Sequence, residues 1–402
     1  MTTQNTQPKI NKTFLIVLLG ILAALGPFTI DMYLPGFQRI AEDLNTYEQK
    51  VTFTLTSYFI GIAIGQLLYG PIVDKYGRKK PLLFGLSFYV LAALGCAFST
   101  SIEMMIWMRF VQALGGCVGM VASAAIISDV YLPEHRARAF SSIMLVMGVA
   151  PLIAPSVGSF FVEHADWYYI FYFLAGFATM VLLLIYFFLP ETSQYMHSKK
   201  LKVSEIAVNY WGIVKNKTFL FYTLIGSISM GILFAYISSS AFVFLTYYEV
   251  DKTTFSILFA INASGLILGS YINGWLTRRV NYLKIGRVAI IMLCLISGSI
   301  LSFSYLNPTL SYQWVVLGLF SILFTIGFIN PNAMAASLVP FTDRAGAASA
   351  LSGAIRMGMA ALVAGLIGVI QVKDVFTMFM IIFLLTLITV ILLLFSPTKL
   401  KR

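Results

Sequence analysis

Apolar residues along this chain come in long unbroken runs, separated by short clusters of charged or turn-forming residues. A helix that crosses the hydrocarbon core of a bilayer needs ~20 mostly apolar residues. Twelve runs meet that length, at 13–35, 51–71, 81–99, 102–128, 139–162, 167–189, 218–246, 253–276, 285–306, 311–336, 345–370 and 375–396. Lipid offers no partner to a backbone N–H or C=O, so runs of this kind must be helical. The pattern therefore predicts an all-α membrane protein with twelve transmembrane helices. Connections are short except for the stretch Pro190 to Lys217, which divides the crossings into six plus six. Within that stretch, Val203 to Ile213 reads as an amphipathic helix on the membrane surface. The expected organisation is a tail over 1–12, a six-helix bundle over 13–189, a linker over 190–217, a second six-helix bundle over 218–396 and a tail over 397–402.

Composition strengthens this picture. Of 402 residues, 59% are hydrophobic and only 11% charged, with a mean hydropathy of +0.87, whereas soluble domains run near a quarter charged. The formal charge of +11 would suggest a polyanionic partner in a soluble protein. Placing the bases on the predicted spans removes that reading and with it a nucleic-acid partner. Twenty-one of the 27 Lys+Arg fall on one side, among them Lys12, Lys75, Arg78, Arg138, Lys199, Arg278, Arg344 and Arg402. Only Arg39, Lys50, Lys252 and Lys373 fall on the other. The positive-inside rule then puts both termini in the cytoplasm. The first apolar run lacks a small-residue cleavage site and continues past Pro27, so it reads as a retained span. Cys96, Cys117 and Cys294 lie inside apolar runs with no metal-ligand spacing. His135, His164 and His197 fall in predicted loops. No metal and no cofactor are expected.

Three ionisable residues remain at membrane depth: Asp31, Arg109 and Arg356. A charge there costs about 3 kcal/mol or more on insertion scales, so each needs a partner or a watery cavity. Asp31 lies ~27 Å of helix above Lys12, and Arg109 lies about seven residues from the outer end of its span, so the two share a depth and can pair. One reading is a structural ion pair. The other is that Asp31 takes and releases a proton while Arg109 tunes its affinity, since burial raises a carboxyl pKa and a nearby guanidinium lowers it. Arg356 falls ~18 Å into span 11. It either faces a central cavity and attracts an anionic substrate or pairs with a backbone carbonyl between the halves.

The two halves echo each other. Gly70-Pro-Ile-Val-Asp74-Lys-Tyr-Gly77-Arg78-Lys-Lys80 after span 2 is answered by Gly274-Trp-Leu-Thr-Arg278-Arg after span 8. Pro133-Glu-His-Arg136-Ala between spans 4 and 5 is answered by Pro340-Phe-Thr-Asp-Arg344-Ala between spans 10 and 11. Duplicated bundles of this kind build transporters whose central site opens alternately to each side. In span 5, Gly148, Pro151, Pro155 and Gly158 are spaced 3, 4 and 3 and share one helix face. That face carries almost no side chain and admits close approach of another helix, and its two prolines remove backbone donors and can bend the helix. Packing alone would explain such a face, as topology alone would explain the basic turn after span 2.

Taken together, these residues resemble the major facilitator superfamily, and within it the twelve-span drug:proton antiporters. Gly70 to Lys80 is similar to the superfamily's loop 2–3 signature. Gly148-Val-Ala-Pro151-Leu-Ile-Ala-Pro155-Ser-Val-Gly158 is similar to the antiporter signature of span 5. Arg109-Phe-Val-Gln112-Ala-Leu-Gly115-Gly is similar to that of span 4, with Ala113 where many members carry Gly. Thr29-Ile-Asp31-Met-Tyr33-Leu-Pro35, the Arg109 to Gly119 stretch and Phe259-Ala-Ile-Asn262-Ala look most like the bicyclomycin-resistance (Bcr/CflA) family, and Leu189-Pro190-Glu191-Thr192 is a common ending after span 6. The resemblance covers the whole chain. It implies two pseudo-symmetric bundles, with Asp74 and Arg78 in inner-side contacts that hold the outward-open state. It places Arg109 and Asp31 in the cavity, linking proton and substrate, and it sets the span 5 face against the opposite half. Span 1 offers no second carboxylate, so Asp31 must do any proton work alone. Ser128 stands before Asp129 where related chains often carry Arg, which puts that local charge pair in doubt.

A polyspecific cavity should be apolar and aromatic with few polar anchors. The candidates to line it are Tyr33, Tyr58, Met147, Phe234, Tyr236, Asn330, Asn332 and Arg356. The expected function is proton-coupled efflux of small drugs, of the bicyclomycin and chloramphenicol type, from a bacterial plasma membrane, driven by the proton gradient. Its partners would be the drug, protons and membrane lipids, and the chain would act as a monomer. The alternative is a dedicated exporter or importer of a metabolite or siderophore on the same fold. No nucleophile with a base and no His/Asp cluster occurs at depth, so the chain is not expected to be an enzyme.

Overall fold

The computed structural model describes residues 11–131, 133–193, 203–307, 309–341, 345–372 and 374–395; the side chains at 133–138, 140–142, 144–148, 203, 204 and 345 lie outside that description. The side chains of the candidate Met147 and of Arg136 and Arg138, and all but the helical backbone at Gly148, therefore stand outside the description, and Arg344, Lys199 and Lys373 lie outside the described residues altogether.

All the described regular structure is helical. The first half comprises α1 (Lys12–Asp31), α2 (Phe37–Asp43), α3 (Glu48–Tyr76), α4 (Lys79–Ala97), α5 (Ile102–Gly116), α6 (Val118–Val130), α7 (Pro133–His164) and α8 (Tyr168–Phe188). A linker helix α9 (Val203–Val214) leads to α10 (Lys217–Ala241), α11 (Lys252–Leu276), α12 (Tyr282–Leu306), α13 (Tyr312–Leu338), α14 (Ala345–Ile370) and α15 (Val375–Leu394). Among the described residues, eleven helical segments are long and apolar enough to cross a membrane, and α7 occupies the place of the remaining predicted span.

Polar caps fix where many of these helices begin. The side chains of Asn11, Ser101, Asn216, Asp251, Asn281 and Asp374 each accept a backbone N–H from the first turn of α1, α5, α10, α11, α12 and α15, satisfying donors that a helix start leaves orphaned. At Asp251, hydrogen bonds from the Thr254 hydroxyl and then the Thr254 N–H hold the carboxyl below the ordinary carboxylate range.

Three predicted spans are not single straight helices. Span 1 ends as α1 at Asp31 and continues through a 3-10 turn at Leu34–Gly36, where Pro35 sits, into α2. Span 4 divides into α5 and α6 at Cys117, directly after the Gly115-Gly116 pair, a common cause of kinks. Span 7 passes from α10 into a π-helical turn at Phe242–Tyr247. Just before it, Ser239 and Ser240 donate back to the carbonyls of Ala235 and Ile237, the kind of back-bonding that bends helices.

The halves meet along α3 with α14 and along α7 with α11. A large buried cluster runs through both, with Tyr33, Phe59, Phe234, Tyr236 and Phe259 among its members. Large side chains such as Leu91, Phe187, Leu295 and Val369 point outward, as expected where lipid is the solvent. Helix α9 is anchored through Ile213, which is fully buried, and through the Tyr210 hydroxyl, which donates to the Leu67 carbonyl of α3 at 3.3 Å. Its other side presents Val208 and Trp211, 72% and 62% exposed. One end of the bundle carries Lys79, Lys80, Arg278 and Arg279 and is the basic end here; the end with Glu48 and Asp251 is the acidic end.

Candidate functional site

Arg109 of α5 is fully buried. Its guanidinium donates to Gln112 Oε1 at 2.8 Å and to the Thr29 carbonyl at 3.0 Å. Its carbon lies 4.4 Å from the ring centres of both Tyr33 and Tyr58 and 5.9 Å from that of Phe171, positions where aromatic faces attract a cation. The Thr29 carbonyl belongs to the last turn of α1, where carbonyls lose their intrahelical partners and the helix dipole is negative. A cation at that place caps the helix. Tyr33 is itself held by the Thr54 hydroxyl at 2.8 Å, and Thr29 by the Tyr89 hydroxyl at 2.6 Å.

Asp31, only two residues beyond Thr29, stands apart from this arrangement. It is 4% exposed, and its Oδ1 has no hydrogen-bond partner. The ion pairs formed among the described residues do not include Asp31 with Arg109. The arginine takes its acceptors from the end of α1 and from Gln112 rather than from the acid, and its Nε has none. The turn just beyond Asp31, Leu34–Gly36, packs on α11 of the opposite half, the helix that carries Asn262. Tyr236 accepts from Asn262 Nδ2 at 3.3 Å and stacks on Phe259 with 5.5 Å between ring centres. The Oδ1 of Asn262 is buried and unpartnered. Beside them Phe234 packs on Phe59 of α3 at 4.2 Å between centres. Tyr33 and Tyr58 thus lie on Arg109, while Phe234 meets the N-terminal half through Phe59.

The remaining candidates lie elsewhere. Asn332 exchanges hydrogen bonds with Asn273 of α11, at 2.8 and 3.3 Å, and borders a small, partly open pocket with Tyr222, Tyr282 and Arg287. The Oδ1 of Asn330 is buried without a partner. Arg356 sits in the middle of α14 with its guanidinium against Gly226 of α10. Pro155 and Gly158 are buried in α7, and Gly158 closes on the Met32 carbonyl at the end of α1, within its own half. The expectation that this face meets the opposite half is corrected at this position. The contact across the halves is made by the neighbouring Ser159, which donates to the Lys252 carbonyl at 3.0 Å and bonds Ser256 at 2.7 Å. Glu48 accepts from Thr246 at 2.8 and 2.9 Å, a second polar link between the halves at the acidic end.

At the basic end, the turn after α3 organises a compact network. Arg78 donates to Asp129 of α6 at 2.9 Å, to Asp74 at 2.8 Å and to the Val73 carbonyl at 2.8 Å. Burial opposes charge on Arg78, but the hydrogen bonds to Asp129 and then Asp74 raise its pKa above the ordinary guanidinium value. Glu191, just past α8, accepts the backbone N–H groups of Arg78, Lys79 and Ser193 at 2.8, 3.1 and 3.0 Å. Asp129 also accepts from Thr192 at 3.1 Å. From the sequence alone, Ser128 puts a charge pair at Asp129 in doubt, and Glu191 is only part of a common ending after span 6. The available signal was that each is an acid on an otherwise basic rim. These bonds tie α3, α4, α6 and the end of α8 to one another within a single half. Gly70 lies one turn before Asp74, with the Tyr210 hydroxyl of α9 as its near neighbour.

Gly77 makes the turn possible. Its φ is +84°, a region that L side chains rarely enter, and a Cβ there would collide with the Glu191 carboxylate. Gly77→Ala is expected to destabilise the protein by about 1–3 kcal/mol, read as a lower thermal midpoint of the purified full-length chain. An unchanged midpoint would mean that the turn relaxes freely.

Known proteins agree with this architecture. The family model described as Major Facilitator Superfamily matches residues 18–364. A bicyclomycin resistance protein homolog of Haemophilus influenzae is 33% identical over 359 residues, covering 88% of this chain and 89% of that protein. The multidrug resistance protein MdtL of Klebsiella pneumoniae is 30% identical over 336 residues, covering 83% of this chain and 82% of its own length. In three dimensions, the crystal structure of a mutant of the nucleoside transporter NupG superposes with a TM-score of 0.69 at 16% identity, covering 95% of this chain and 98% of that one. At that identity the likeness is one of fold.

Proposed function

The chain belongs to the major facilitator superfamily, as a multi-span membrane transporter and not an enzyme, and we propose that it exports small drug-like molecules in exchange for protons. The observation that carries this reading is Asp31, a buried carboxylate with an unpartnered oxygen, just before the Leu34–Gly36 turn that packs on α11 of the other half. Its place as the last residue of α1 sets negative charge at the negative end of a helix dipole. Burial adds a further cost to that charge, and taking up a proton removes both. The aromatic surroundings of Tyr33, Tyr58, Phe234 and Tyr236 suit apolar ring-bearing cargo. The drug-resistance names of relatives similar over most of the chain support the same direction of transport.

In this reading the protein resides in a bacterial plasma membrane with the basic end, and both termini, in the cytoplasm, since twenty-one of the 27 Lys+Arg lie on that side. The polar links at the acidic end then close the outer side. Proton entry at Asp31 and cargo binding beside Tyr236 would compete for one seam, so that occupancy by either favours rocking of the halves. The test is proton movement in proteoliposomes holding the full-length protein. Adding a substrate drug is expected to release protons at a rate that follows protein content. A broad drug panel that moves none, while protein-dependent uptake of a metabolite persists, would replace the drug reading with that of a dedicated metabolite carrier.

A further inference from the structure

Pro71 lies inside α3, and a proline offers no N–H to the carbonyl four residues before it. That carbonyl belongs to Leu67, and it accepts from the Tyr210 hydroxyl of α9 instead, at 3.3 Å. The linker helix is thus seated where α3 leaves an acceptor free. Its depth follows from the same contact. Leu67 is nine residues from the Tyr76 end of α3, which is ~13 Å of helix. The 29 residues of α3 span ~43 Å, against a hydrocarbon core of ~30 Å. With α3 centred on that core, the Leu67 carbonyl lies about 7 Å inside its edge at the basic end.

Helix α9 also lies on the outward flank of the bundle. Its Ile213 belongs to a small buried cluster with Leu351 of α14, against which Ile355 packs. Leu351 and Ile355 are on the side of α14 turned away from Gly353, the residue that meets Gln66 of α3. Toward the acidic end that side continues as Leu362 and Leu366, both exposed. On α3, Leu67 adjoins Ile64 and Leu68, also exposed. Tyr210, Ile213 and Val214 form the inner face of α9, and through them the helix touches both halves. Val208, Trp211 and Lys215, spaced 3 and 4, share the opposite face. All three are exposed, and the Lys215 ammonium stands 5.5 Å from the centre of the Trp211 ring. Lys217 follows, and Lys199, Lys200 and Lys202 precede the helix in the sequence. The one acid of α9, Glu205, is in its first turn, at the other end.

We propose that α9 is seated in the leaflet at the basic end, and that its Val208, Trp211 and Lys215 face is a docking surface for anionic phospholipid. Depth and charge identify the occupant. At this depth on the outer flank lipid is the solvent, and the face carries a base and no acid. Val208 meets acyl chains, a Trp ring suits the headgroup boundary, and Lys215 with Lys217 attracts the phosphate. The surface serves the linker and is independent of cargo and of proton coupling.

Trp211 reports on its own surroundings. Full-length wild type and Trp211→Phe are placed in nanodiscs, and the difference between their emissions isolates Trp211 from the other tryptophans. Two mixtures hold equal amounts of phosphatidylglycerol and phosphatidylcholine, with bromine on the acyl chains of one lipid or of the other. Bromine quenches at contact, so the ratio of quenching measures which lipid lies beside Trp211. Phosphatidylglycerol is expected to be enriched there at least about fivefold, the effect of one lysine near an anionic lipid. Lys215→Gln combined with Lys217→Gln should bring the ratio close to one, and Lys215→Arg should keep it. The three substituted side chains are exposed, so the variants should elute as wild type does. Emission untouched by bromine but quenched by aqueous acrylamide puts the face in water and overturns the proposal. Protection from both quenchers overturns it as well, because protein then covers the face. Equal quenching by the two brominated lipids, or an enrichment that survives loss of both lysines, removes the anionic lipid and the proposal with it.

Discussion

Asp31→Asn is expected to abolish uphill, proton-driven efflux while leaving the protein folded and able to bind drug. Asn has the same shape as Asp and carries no charge, so packing at the end of α1 is preserved and only the titration is lost. In proteoliposomes the variant should show no drug-stimulated proton release, and its transport should be flat across imposed pH gradients where the wild type rises with them. Downhill drug exchange should persist, because it needs only the rocking of the halves. Asp31→Glu should retain a measurable fraction of coupled transport. Undiminished gradient-driven efflux by Asp31→Asn would remove Asp31 from the coupling role. The geometry makes this a sharp test. Since Arg109 is held by Thr29, Gln112 and two tyrosine rings and forms no ion pair with Asp31, neutralising Asp31 removes none of its contacts, and a loss of transport cannot be assigned to a broken ion pair.

What could be read in the sequence follows from what lipid does to a helix. Length and apolarity alone locate a crossing, so the predicted spans fall on the observed helices, and the polar-faced stretch at 203–213 falls on α9 (Val203–Val214). The fold of the superfamily was likewise legible, because glycines and prolines at fixed spacing report close approach. Rotation was not legible. A helix apolar on every side carries no periodic signal for the face it buries, so the sequence could place Asp31 and Arg109 at one depth but not say which way each points. Two residues of α1 separate the carbonyl that Arg109 takes from the acid it leaves free, and on a helix that is more than half a turn. The partners Thr29, Tyr89 and Asn262 went unnamed for the same reason. Asp129 and Glu191 were hidden differently. Their contacts with Arg78 join segments 51 and 113 residues apart, and only the folded half brings these together. Breaks inside spans 1, 4 and 7 were foreshadowed by Pro35, by Gly115-Gly116 and by the run Ser238-Ser239-Ser240, but the local sequence does not say whether such residues bend a helix or merely pack.

The largest expected loss of stability comes from Gly158→Ala. Gly158 of α7 meets the end of α1 with no side chain between them, and a Cβ would overlap the Met32 carbonyl. The obstacle is backbone, which cannot swing aside as a flexible side chain can, so the two helices must separate or the end of α1 must turn. Overpacking of this kind typically costs 1–3 kcal/mol and sometimes more, and a rigid main-chain neighbour puts this site at or above about 3 kcal/mol. The measurement is the thermal midpoint of the full-length protein in detergent, compared with Gly176→Ala on α8, where an added Cβ meets nothing within 4 Å. Gly158→Ala should melt well below wild type and Gly176→Ala close to it; matching midpoints for the two would show that the α1–α7 contact is looser than its geometry. A second consequence separates this glycine from ordinary packing. Met32 follows Asp31 directly, so the displaced segment carries the acid with it, and Tyr236 and Ser159 flank the same seam from the two halves. Gly158→Ala protein that is still folded at low temperature should therefore lose drug-stimulated proton release out of proportion to its lost stability. In a bundle whose crossings are fixed by apolar length, one absent side chain on α7 sets where the only carboxylate predicted at membrane depth comes to rest.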